Sequence, residues 1–203
     1  MGDVLSLFIE SIFIKNMIFA YFLGICAFFA VSRSMETSIG LGIATCFVLT
    51  ITLPINYLLH KYVLKAGALV WLGDEFAAVD LSFLSLLIFI AVIASIAQIV
   101  EMIIEKHAPA LYTSLGIFLP LLACNCTIVA GSLFMQERNF PNIGYAFVYA
   151  FGSGLGWLIA IVGVAAVRQK MTYSNIPAPL RGFGIMFITV GLIAIGFMCF
   201  SGL

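Results

Sequence analysis

Five cysteines hold most of the reactive chemistry in this sequence: Cys26, Cys46, Cys124, Cys126 and Cys199. All five lie in apolar stretches. That distribution does not fit a secreted disulfide framework, and burial as an inert thiol accounts for any one of them taken alone. Brought together as a pair, two of them could do more. Paired thiolates suit soft metals and iron–sulfur clusters, and a [2Fe–2S] centre of the all-cysteine type takes four such ligands. A chain offering two needs a second copy or a related protein for the rest; a disulfide switch is the other use of such a pair. The second candidate is Glu101, with Gln98 one turn before it and Glu105 one turn after. A carboxylate beside an amide oxygen is the hard ligand set a small cation prefers, although a solvated helix end explains the same residues. His60 and His107 adjoin lysines in chain connections and read as exposed or interfacial. Gly152, Gly154 and Gly156 follow no strand, so they read as a helix-packing surface and not as a dinucleotide loop.

The elements that must position these groups follow from composition. Of 203 residues, 64% are hydrophobic and 9% charged, with a mean hydropathy of +1.20. Soluble domains run about 45–50% apolar and about 25% charged, so a soluble globular enzyme is excluded. Nine Lys/Arg cancel nine Asp/Glu, leaving no basic field to hold nucleic acid. Apolar runs at 4–32, 39–60, 81–104, 114–135, 143–167 and 183–203 predict six membrane-spanning helices. Six spans of about 20–22 residues leave about 70 for termini and five connections, too few for a soluble catalytic domain. The expectation is one transmembrane domain over 1–203. Met1-Gly2-Asp3 brings no basic region, and no small-residue cleavage site follows the first run, so the N-terminus reads as mature protein. Arg33, Lys106, Arg168, Lys170 and Arg181 fall in connections one, three and five, against Lys61, Lys65 and Arg138 in two and four. The positive-inside rule then puts the odd connections in the cytoplasm and both termini on the outer side. The first run exceeds what a bilayer needs. With Lys15 at the water boundary, its embedded part is 16–32, and the N-terminal piece lies along or above the interface.

Six spans divide into three and three. An odd number per half makes the second half cross in the opposite sense, so halves of about 1–104 and 105–203 form an inverted repeat about an axis in the membrane plane. Cys26 and Cys126 then hold equivalent positions, each in the first span of its half. Gly24 precedes one; Pro120 and Asn125 precede the other. Such interruptions at matching positions point to a midplane site where unwound backbone faces protein or a cavity. A kink or close helix packing would explain them without a site. The expected fold is all-α and integral to the membrane: six transmembrane helices in two inverted three-helix repeats, with the first helix of each interrupted.

Several motifs in order carry a family resemblance along nearly the whole chain. Phe22-Leu23-Gly24-Ile25-Cys26, Leu41-Gly42-Ile43-Ala44, Gln98-Ile99-Val100-Glu101-Met102, Leu115-Gly116-Ile117-Phe118-Leu119-Pro120-Leu121, Asn125-Cys126, Gly152-Ser153-Gly154-Leu155-Gly156-Trp157 and Pro177-Ala178-Pro179-Leu180-Arg181-Gly182 resemble the E-type subunits of bacterial sodium-translocating NADH:quinone oxidoreductases. The A-type subunit of the Rnf-type ferredoxin:NAD oxidoreductase is the competing paralogue. The second connection at 63–69 and the start of the fifth span favour the quinone reductase. The resemblance implies a translocase subunit of the bacterial inner membrane, with periplasmic termini, that helps move electrons across the membrane in step with Na+ export. It implies that Cys26 and Cys126 are two ligands of a [2Fe–2S] cluster shared with the homologous D-type subunit. It places NADH, flavins and quinone on other subunits, with those of A, B, C and F type as further partners, and gives Glu101 a role in sodium uptake. Cys46, Cys124 and Cys199 fall outside the family's ligand set. Two departures stand out. Glu10 and Lys15 carry exchanged signs relative to the family, as two interacting groups would, although a spacing of five does not suit an α-helical pair. The segment 71–75 lengthens the second loop. A secondary transporter with dispensable cysteines is the alternative from a different class, on the strength of the inverted repeat.

Overall fold

A computed structural model describes residues 2–26, 34–64, 84–107, 109, 112–113, 120–123, 125–171, 173, 177 and 182–199. Its regular elements are all helical. Helix α1 (Gly2–Ile9) runs into a π-helical stretch, Glu10–Ile14, and α2 (Met35–Leu59) into another, His60–Leu64. Then come α3 (Ser85–His107), α4 (Pro120–Ala123), α5 (Cys126–Arg138), α6 (Ile143–Met171) and α7 (Phe183–Met198). Three stretches, Met35–Leu64, Ser85–Lys106 and Ile143–Met171, are long and apolar enough to cross a membrane. They correspond to the second, third and fifth apolar runs. The sixth run gives α7. Cys124, the second-connection residues 65–69 and 71–75, Arg33 and Arg181 lie outside the described residues.

The first and fourth runs are not single helices. The first holds α1, the π-helical stretch and a series of turns over 16–24, and becomes helical again only at Ile25 and Cys26. The fourth holds the short α4 and then α5, with Asn125 between them. Each discontinuity therefore falls directly before one of the two cysteines singled out from the sequence.

Helices α2 and α6 form the antiparallel centre of the bundle, with Cys46 opposite Gly154 and Gly42 opposite Leu158 and Ile161. Small residues permit this approach. A methyl group on Gly154 would lie 2.8 Å from Cys46 Sγ and 2.9 Å from its Cα. A second face of α6 takes the N-terminal segment, where a methyl on Gly156 would meet the Ile12 carbonyl oxygen at 2.9 Å. The alternating glycines are thus a packing surface, two faces deep. We expect Gly154→Ala to lower the stability of the folded chain by about 1–3 kcal/mol, because the obstructing atom is backbone. Gly163→Ala, where none of the described residues lies within 4 Å, should leave the thermal midpoint unchanged.

The same surface fixes where the N-terminal piece packs against the rest of the chain. Phe8 stacks on Phe151 with ring centroids 6.2 Å apart, and Ser11, Ile12 and Asn16 are buried. The piece runs beside the first half of α6 because Gly152 and Gly156 open a lane for it.

Candidate functional site

The break before Cys26 is built around a buried amide. Asn16 Oδ1 accepts from the backbone N–H of Ile18 (3.0 Å) and Phe19 (3.4 Å), capping the turns that follow. Its Nδ2 donates to the Ile12 carbonyl (3.0 Å) and, across the bundle, to the Gly156 carbonyl (2.9 Å). The chain then turns through bonds from Phe22 N to Ile18 O and from Leu23 N to Met17 O. Phe22 (φ 55°) and Gly24 (φ 78°) both sit in the left-handed region. A bulky residue held there is strained, and such strain gathers at functional sites.

The break before Cys126 is a capped helix start. Asn125 has φ −73° and ψ 113°, and its side-chain oxygen accepts from the N–H of Thr127 at 3.0 Å. Cys126 is the first residue of α5. The two breaks meet. Thr127 Oγ1 donates to the Leu23 carbonyl at 3.3 Å. A methyl on Gly24 would fall on Thr127 Oγ1, 2.8 Å from Trp157 Nε1 and 3.1 Å from Asn125 Oδ1. The lack of a side chain at residue 24 is what lets one cysteine-bearing turn lie against the other.

Depth follows from α6. Trp157, which abuts Gly24, is the middle residue of the 29 in Ile143–Met171. At 1.5 Å per residue it lies about 21 Å from either helix end. Cys26 and Cys126 are both exposed on the surface of the chain at this level, whereas Cys46 is buried between α2 and α6 and Cys199 is exposed at the end of α7. Two buried donors lie by the same place: among the described residues neither Trp157 Nε1 nor Asn125 Nδ2 has a hydrogen-bond partner. Two exposed soft thiols that follow these breaks fit half of a thiolate-ligated cluster, and unsatisfied N–H groups beside Gly24 suit acceptors such as thiolate and sulfide. Among the described residues no three of His, Cys, Asp and Glu gather at one metal-sized site, so Glu101 is not a third ligand there.

Glu101 stands half-buried on α3, within two turns of its C-terminal end, with Gln98 and Glu105 exposed. His60 is half-buried, its ring 6.5 Å from that of Phe89. Glu10 and Lys15 form an ion pair, and Arg138 at the end of α5 lies 3.5 Å from the same carboxylate oxygen. The spacing of five is resolved by the π-helical stretch, whose bond from Lys15 N to Glu10 O (2.7 Å) sets residues five apart on one face. Arg138 also covers the Tyr149 ring, 5.1 Å from its centroid. This cluster ties the segment that leads to Cys26 to the helix that begins at Cys126.

Similarity to known proteins extends over the whole chain. A model of the Rnf-Nqr family, described as "Rnf-Nqr subunit, membrane protein", matches residues 4–203. The chain is 54% identical over 203 residues to the E-type subunit of the Na(+)-translocating NADH-quinone reductase of Psychrobacter cryohalolentis, spanning all of this chain and 99% of that protein. It is 53% identical to the protein of the same name from Stutzerimonas stutzeri and 52% identical to that from Pseudomonas aeruginosa, each over 202 residues and 98% of the relative. With its helical, strongly apolar architecture and full-length match, the chain belongs to the Rnf-Nqr family of membrane-protein subunits.

Proposed function

We propose that this chain is the E-type subunit of a sodium-translocating NADH:quinone reductase, embedded in the bacterial inner membrane with both termini periplasmic. It spans the membrane six times as two inverted three-helix repeats. The observation that carries the redox part of this reading is the meeting of two chain breaks, each ending on an exposed cysteine, at the middle level of α6. Cys26 and Cys126 supply two of four thiolate ligands to a [2Fe–2S] cluster, and the homologous D-type subunit supplies the other two. A [2Fe–2S] group held there would supply one-electron chemistry, and a hydrocarbon core of about 30 Å would otherwise separate donor and acceptor. The chain's own groups prepare the position. Each break ends where helix starts at an exposed cysteine, and Trp157 and Asn125 offer N–H groups to acceptors beside Gly24. NADH, flavins and quinone are handled by the subunits of A, B, C and F type.

Glu101 serves as a sodium-uptake residue on the cytoplasmic side, its carboxylate being a hard oxygen ligand near the end of α3. Removing a charged ligand costs about tenfold in affinity or more. Glu101→Ala should therefore raise the sodium concentration for half-maximal turnover by that factor; an unchanged value would leave Glu101 a helix-end charge.

Membrane vesicles containing the complete complex decide between the family branches. Sodium-stimulated quinone reduction with NADH as donor is the expected result. Activity that depends on ferredoxin would assign the chain to the Rnf branch instead.

A further inference from the structure

We propose that Thr52 and Asn56, with Ser132 orienting the Asn56 amide, form a sodium-binding site buried between α2 and α5. Thr52 and Asn56 stand one turn apart on α2, Ser132 stands on α5, and all three are fully buried. The Ser132 hydroxyl donates to the Ile128 carbonyl at 3.1 Å, so its oxygen is left to accept from Asn56 Nδ2 at 2.8 Å. That bond fixes the amide with its Oδ1 turned away from Ser132. Among the described residues, neither Asn56 Oδ1 nor Thr52 Oγ1 meets a hydrogen-bonding partner.

Thr52 differs from four other hydroxyls in the helices and shares with Ser153 a buried oxygen that has no hydrogen-bonding partner among the described residues. The hydroxyls of Thr45, Thr50, Ser95 and Thr189 each donate to the carbonyl four residues earlier in their own helix. Thr52 gives up that bond in a buried, apolar setting where an unpaired oxygen is costly. Two oxygens from successive turns of α2, with Ser132 holding the Asn56 amide in its orientation, make a neutral acceptor set. Hydroxyl and amide oxygens are hard ligands suited to a small cation. With no carboxylate in the set, a monovalent ion fits and a divalent one would bring charge that nothing offsets. Ser132 is six residues beyond Cys126 on α5, so the site lies about 9 Å along that helix from the cysteine level. The choice of sodium over another monovalent ion rests on the translocase reading above; the acceptor set does not.

Binding of radioactive sodium to the purified, complete complex tests the site. Thr52→Val keeps the shape and removes the oxygen, and should weaken binding at least about tenfold, while Thr52→Ser should restore it. Asn56→Asp adds a charge and should tighten binding by a similar factor. Either change alone supports the site, so the aspartate variant decides if the valine variant does not assemble. Wild-type affinity in both Thr52→Val and Asn56→Asp would overturn the proposal and leave these groups holding an internal water only. A wild-type complex that binds no sodium at all would instead remove the translocase reading, and the site with it.

Discussion

Serine in place of Cys26 or of Cys126 should stop NADH-driven quinone reduction in the assembled complex, with a loss of about a hundredfold or more. Changes that only disturb the support of a metal ligand already cost about 10–100-fold, and here the proposed ligand itself is removed. The substitution is small. Both side chains are exposed on the chain's surface, so replacing sulfur by oxygen leaves the core untouched. What changes is chemistry: a hydroxyl is a hard, weakly acidic donor where the site needs a soft thiolate. Without a station at the middle level, electrons face the full hydrocarbon thickness of about 30 Å. Cys199→Ser is the comparison. That thiol is also exposed, at the end of α7, and its replacement should leave turnover intact.

Gly24→Val should produce the largest loss of folded complex. Residue 24 has φ 78°, a conformation a β-branched side chain resists, at a cost of about 1–3 kcal/mol. Its Cβ would also fall on Thr127 Oγ1 and within 2.8 Å of Trp157 Nε1, and overpacking of that kind adds about 1–3 kcal/mol. The sum is a large part of a net stability of about 5–15 kcal/mol. The expected outcome is a lowered thermal midpoint together with loss of turnover, since the contact that fails is the one joining the two cysteine-bearing turns. Gly144→Ala, in open space, should change neither.

Much of this is legible in the residues. Long apolar runs with few charges predict the three long helices, because hydrocarbon burial demands them. Gly24 and Asn125 mark where helix is interrupted, directly before Cys26 and Cys126, and Pro120 opens the short α4 ahead of the second break. The string Gly152, Gly154 and Gly156 announces close packing, as Cys46 and Ile12 show. Other features leave no trace in composition or spacing. Asn16 looks like any polar residue at the edge of an apolar run, yet its amide bonds to Gly156, 140 residues away. Trp157 looks like core filler, and only tertiary packing sets its N–H beside Gly24. The Glu10–Lys15 pair looks misplaced by α-helical geometry, and a π-helical turn changes that geometry. Charge alone puts the N-terminal segment at the interface, and the lane opened by Gly152 and Gly156 decides where it packs.

Two interrupted helices bringing Cys26 and Cys126 to one ligand site at the middle of the membrane is the central claim. Its most direct measurement is the iron content and low-temperature paramagnetic resonance spectrum of the reduced, purified complex bearing single cysteine substitutions. Cys26→Ser and Cys126→Ser should each remove the same [2Fe–2S] signal and about two irons per complex, while Cys199→Ser retains both. Full iron and an unaltered signal in both Cys26→Ser and Cys126→Ser would contradict the account.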